Sequence, residues 1–166
     1  MTYWSHPRIH NPEVAGGRWH EISHEATAAF IRRKDSYPIL VDKGKMDRDA
    51  AAADILAWQN IADDWDWICC GLGAPAGPDT LASRIAALDT AIERFFTLID
   101  RQNKPISLHQ SEQFAYIAAM RCWAEHERTQ PATSHPRFFA SIGQKFRAEA
   151  AQAASFAETA KERKAA

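Results

Sequence analysis

Long apolar runs are missing from this chain of 166 residues, and so is any stretch that alternates polar and apolar side chains for long. The first absence leaves no segment of about 18 apolar residues, the length a membrane-spanning helix needs, so no membrane role is expected. The second leaves YPILV, residues 37–41, as the one β-like stretch, which excludes a fold built on a sheet. Cysteine is scarce: there are three, and two of them, Cys69 and Cys70, are adjacent, where a mutual bridge is strained. A disulfide framework is therefore excluded, and all three read as reduced core thiols. The sequence spacing of cysteines and histidines is too wide for a familiar Cys/His metal cluster. Charge of one sign is absent as well. Lys and Arg number 20 against 21 Asp and Glu, and the isoelectric point is near 6.6, so bulk charge marks neither a nucleic-acid binder nor a membrane-surface protein. The opening MTYWSHPRIH has no signal-peptide pattern, and the expected compartment is the cytoplasm.

What is present is helical periodicity. Apolar residues make up 46% and charged residues 25%, ordinary for one globular domain over 1–166. After an irregular lead-in at 1–17, which Tyr3, Trp4 and Ile9 dock on the body, Trp19, Ile22, Ala26, Ala29 and Phe30 predict a helix from about Arg18 to Ser36. Pro38 is expected to end it, because proline disfavours the helical state in the residue before it. Asp47 caps a second helix over 48–70, with Ala51, Ile55, Trp58, Ala62, Trp65 and Cys69 as its buried stripe.

GLGAPAGPD at 71–79 divides a front hairpin, 18–70, from a back bundle, 80–164. Asp79 or Thr80 opens a third helix to about Asn103, whose Leu81, Ile85, Leu88, Ile92, Phe95 and Ile99 form a heptad-like seam. Ser107 and Gln110 form a capping box for a fourth helix to about Arg128, with Tyr116, Ile117, Met120 and Trp123 facing the core. A fifth runs from about Pro136, with Phe139, Ile142, Phe146, Ala150, Ala153 and Phe156 expected to face inward. Lys161, Arg163 and Lys164 suit the negative end of its dipole. The expected fold is all-α, about five helices, an N-terminal helical hairpin plus a three-helix bundle.

One stretch carries specific chemistry. His20, Glu21 and His24 spell H-E-x-x-H, the zinc-peptidase pattern. Four residues apart on a helix, His20 and His24 could offer two imidazoles to one zinc ion, with Glu21 as general base on a bound water. A third protein ligand is needed and is not apparent. The metzincin extension would require Gly and His where the chain has Thr27 and Phe30, and no Glu follows Glu25 until Glu93. Arg18 and Glu25 also put charge where such helices are apolar. The competing reading is two surface histidines beside Glu21 and Glu25, with no catalytic residue and no cofactor. It is preferred here, with His20 and His24 kept as metal-ligand candidates.

Other clusters are read as structure or surface. Asp63, Asp64 and Asp66 in DDWDW form a solvated acidic face. Arg32, Arg33, Lys34, Lys43, Lys45 and Arg48 could touch phosphates, but Asp35, Asp42 and Asp47 interrupt them, so nucleic acid is not the expected partner. Of six tryptophans, Trp58 and Trp65 read as core, and Trp4 and Trp67 as interface candidates.

Residues 25–67 carry a helix with R-R-K, then S-Y-P-I-L-V, D-K-G-K-M, and a helix with D-I-L-A-W-Q-N-I-A-D-D-W. This resembles short uncharacterised proteins of tailed phages and proteobacterial prophages, on Arg32, Arg33, Tyr37, Pro38, Val41, Gly44, Met46, Ala52, Ile55, Ile61 and Asp64. The resemblance implies a setting and no reaction, and it does not include HEISH. The resulting expectation is a non-enzymatic helical interaction protein, a homodimer or a binder of a host or phage protein. Its pairing surface is expected on a long back-half helix. A zinc-dependent hydrolase and a weak nucleic-acid binder are the alternatives.

Overall fold

The computed structural model describes residues 18–102, 104–129 and 136–165, the last segment in side-chain detail at 138 and 140–155. The architecture is all-α. Five helices follow one another: α1 (Trp19–Asp42), α2 (Arg48–Cys70), α3 (Leu81–Arg101), α4 (Leu108–Thr129) and α5 (Pro136–Ala165), with a 3-10 turn at Pro78–Thr80 before α3. No strand occurs among the described residues. The lead-in with Tyr3, Trp4 and Ile9 lies outside them, as do the side chains of Phe139, Phe156 and the lysines and arginine of 161–164.

α1 and α2 form the expected hairpin. Ile22, Ala26 and Ala29 of α1 meet Trp58, Ile61 and Trp65 of α2, all buried in one core with Leu88 of α3 and Met120 of α4. α3 pairs with α4, as a connection of a few residues favours. The α3 seam is thereby used inside the fold. Leu88 and Ile92 are buried, and Phe95 stacks on Phe114 of α4 with ring centroids 4.3 Å apart. α1 also packs on α4 and α2 on α3.

Helix ends follow local chemistry. The Asp47 carboxylate accepts from the Ala50 backbone N–H at 2.9 Å and caps α2. Ser107 and Gln110 exchange the two hydrogen bonds of a capping box. α1 stops in a Schellman motif: the Gly44 N–H donates to the Val41 carbonyl and the Lys45 N–H to the Leu40 carbonyl, with Gly44 at φ 64.

Pro38 does not end α1, contrary to the expectation; the helix runs through it to Asp42. The missing proline N–H frees the carbonyl of Lys34, and both residues are exposed, so water can satisfy it. Tertiary anchoring holds the following turn. The Tyr37 hydroxyl donates to Asp54 at 2.6 Å and accepts from Arg94, tying α1 to α2 and α3. Pro38 and Val41 then share a groove with Ala51 and Ile55 of α2. YPILV is helical for that reason.

α5 departs from the expected inward stripe. Its main contact is with α2, where a Cβ on Gly71 would meet Gln144 at 3.0 Å. Ala140 is buried, but Ile142, Phe146, Ala150 and Ala153 are exposed. Among the described residues, no helix is long and apolar enough to cross a membrane.

Candidate functional site

Antiparallel packing of the hairpin sets the first turn of α1 beside the last turn of α2. His20 stands in the one and Cys69 and Cys70 in the other. The Cys69 Sγ lies 2.9 Å from His20 Nδ1. The ligating atoms of His20, Cys69 and Cys70 all lie within 4.8 Å of one another, and no other group of three His, Cys, Asp or Glu does so among the described residues. The adjacent thiols stand on the last turn of α2. Gly71 takes the left-handed conformation, φ 70, and its N–H closes α2 on the Trp67 carbonyl.

This corrects the reading of the cysteines as three core thiols. Cys122 is buried, Cys69 is half-buried and Cys70 is exposed. Burial first, and the hydrogen bond with Cys70 next, push the Cys69 thiol up to about 11. The Asp66 and Glu21 carboxylates add to that shift by repelling a thiolate. Desolvation also raises the Cys122 thiol.

The remaining members of HEISH go elsewhere. His20 and His24 are both exposed and line a groove of about 670 Å³ between α1 and α4, faced by His109, Glu112 and Tyr116. His24 is not one of the three clustered donors. Glu21, the candidate general base, pairs with Arg18 at 3.1 Å. Its own backbone N–H, and then Arg18, hold the Glu21 carboxyl below the usual range. Glu25, expected at the surface, is buried and accepts from Arg32. The pair His20 and His24 is thus brought to one groove, while the third donor nearest His20 is sulfur from α2.

The DDWDW cluster is not the solvated face expected of it. Only Asp63 is exposed. Asp64 is 3% exposed and pairs with Arg84 of α3, which in turn holds Glu127 of α4 through two hydrogen bonds of 3.0 and 3.1 Å. Asp66 accepts from the Ser23 hydroxyl at 2.6 Å, closing the hairpin next to the cysteines. The indole of Trp67, an interface candidate in the sequence, is half-buried against the core.

Two of the six basic candidates for phosphate contact are already paired with carboxylates, Arg33 inside the fold and Arg32 at its surface. Arg33 donates to Asp54 at 3.1 Å and lies 3.9 Å over the Trp58 ring, and Arg32 holds Glu25. Sequence reasoning missed Cys69 and Cys70, and 49 residues separate Cys69 from His20. The usable signal was the hairpin itself: two helices of 24 and 23 residues joined by a short turn must bring their outer ends together. No protein-family model, curated protein or solved structure matches the chain.

Proposed function

We propose that the chain is a non-enzymatic helical interaction protein that pairs with a second copy of itself through α5. The observation that carries this reading is the face of α5. Phe138, Ile142 and Phe146 recur every four residues at 36%, 37% and 65% exposure, and every residue from 145 to 155 is exposed. An apolar stripe on a surface helix ordinarily has a partner. A second copy is the occupant because the same stripe, met antiparallel across a two-fold axis, is self-complementary, and two-fold pairing is the commonest oligomer. Arg33, engaged inside the fold by Asp54, counts against the nucleic-acid alternative. The resemblance of residues 25–67 to phage and prophage proteins supplies the setting of the proposal.

The size of the contact bounds its strength. A 30-residue helix is about 45 Å long. Two such helices meeting along a face ~10 Å wide bury on the order of 900 Å² in all, just below what a specific interface needs. The pairing is therefore weak and concentration-dependent. Sedimentation over a micromolar concentration series should move the mass from 18.6 kDa towards twice that value. Phe146→Glu should hold it at the lower mass. A wild-type mass fixed at 18.6 kDa throughout overturns the pairing.

A further inference from the structure

We propose that His20, Cys69 and Cys70 form a binding site for a thiophilic d10 cation, zinc above all, with three protein ligands and a fourth position open to solvent. The site is independent of the α5 pairing and differs from H-E-x-x-H: it uses one histidine of that motif and two thiols from the opposite helix.

The donor geometry supports this directly. Around a tetrahedral zinc, with Zn–S of about 2.3 Å and Zn–N of about 2.0 Å, ligand sulfurs sit ~3.8 Å apart and sulfur and nitrogen ~3.5 Å apart. The three donor atoms already lie within 4.8 Å of one another. The Cys69–His20 contact of 2.9 Å has to open by a fraction of an ångström to admit the ion. That motion is a side-chain adjustment, because His20 and Cys70 are both exposed. Two sulfurs and an imidazole are the donor set that selects a soft or borderline cation over magnesium or calcium, which need oxygen ligands.

The surroundings favour positive charge at this corner. The carboxylate of Asp66 reaches Cys69 electrostatically, and so does that of Glu21, whose charge is shared with Arg18. Asp66 accepts from the Ser23 hydroxyl at 2.6 Å and from that of Thr27 at 3.5 Å, which orients its carboxylate. On binding, each thiol gives its proton to solvent and its sulfur lone pair to the ion, so Zn²⁺ with two thiolates and a neutral imidazole is electrically neutral. No oxidant or reductant takes part.

The test is a titration of the full chain, reduced and stripped with chelator, with Zn²⁺ and separately with Co²⁺. One Zn²⁺ should bind per chain, and Co²⁺ should show sulfur-to-metal charge-transfer absorption. Loss of an outer-sphere partner alone costs about 10–100-fold in affinity, so Cys69→Ser/Cys70→Ser should cost more than ~100-fold. His24→Ala should bind zinc as wild type does, because His24 is outside the cluster. Circular dichroism of each variant checks that its helices persist. Bound zinc should also shield Cys69 and Cys70 from alkylation in a Cys122→Ser background. Absence of micromolar binding, binding that survives the double serine variant, or an equal loss in His24→Ala each overturns the site.

Discussion

α2 and α5 are both rich in alanine, yet they lie at opposite ends of the range of burial in this molecule. α2 buries Ala51, Ala57, Trp58, Ile61, Ala62, Asp64, Trp65 and Ile68. α5 buries Ala140 alone among its described side chains. Alanine makes either sequence helical, because it loses no side-chain freedom in a helix. It does not decide what the helix packs against. In α2 the alanines are interleaved with large apolar side chains every three or four residues, and those bring enough apolar surface to hold neighbours. From Ala148 to Ala154 in α5 there is none. A stripe of small residues marks a helix, and only bulk marks a core.

The contrast is broken most severely at its packed end. Trp58→Ala should destabilise the fold by ~3–5 kcal/mol through the cavity it leaves, with loss of the Arg33 stacking contact added. Arg84→Ala should cost about as much, ~3–5 kcal/mol, because it removes the cation that stands between the Asp64 and Glu127 carboxylates. Urea unfolding measures both; a shift below ~1 kcal/mol in either would place these residues outside the cooperative core.

Next comes alkaline pH, which loads only the packed region. Burial raises the acids of Cys69, Cys122, Tyr37 and Tyr116, and Cys69 reaches about 11 from an ordinary 9.0. Each keeps its proton more tightly in the fold than in the unfolded chain. Stability is therefore complete below pH 9.0 and declines as pH rises towards 11, since the unfolded chain ionises first. A urea midpoint that holds or climbs across that window contradicts the burial of these groups.

Smaller effects sharpen the comparison. Asp47→Ala removes the cap of α2 and should cost ~1 kcal/mol. Phe146→Ala in α5 should change the stability of the single chain by less than about 0.5 kcal/mol, while weakening self-association. A loss of several kcal/mol at Phe146, measured below the pairing concentration, would show that α5 belongs to the core after all.

The parts of this fold that local chemistry dictates were legible in the sequence. The Asp47 cap, the Ser107–Gln110 box and the Trp58 and Trp65 core positions follow from spacing and residue type within a few turns. The local preference at Pro38 is overruled by Tyr37, which is held by Asp54 and Arg94 from two other helices. The burial of Asp64 is not legible locally, because nothing within its own helix reveals Arg84, 20 residues on. The candidate site was half legible: HEISH drew attention to His20, but its sulfur neighbours come from the far end of another helix. Inward-facing periodicity also failed in α5, since periodicity gives a face and not the neighbour that covers it.

Asp64, Arg84 and Glu127 stand on three different helices, and this makes helix register a matter of charge. Apolar rows are forgiving: one methyl-lined turn can slide to where the next one was with modest loss. A slide of one turn, about 5.4 Å, would carry any one of these ions out of reach of its partner. A buried charge left without its mate costs ~3–5 kcal/mol, a large part of the stability of a small domain. The Asp64 carboxylate also accepts from the Ala76 backbone at 3.1 Å, so the same group fixes where the chain crosses between the two helical pairs. In the observed alignment each of the three ions meets its partner, so burial of the tryptophans and pairing of the charges are satisfied together.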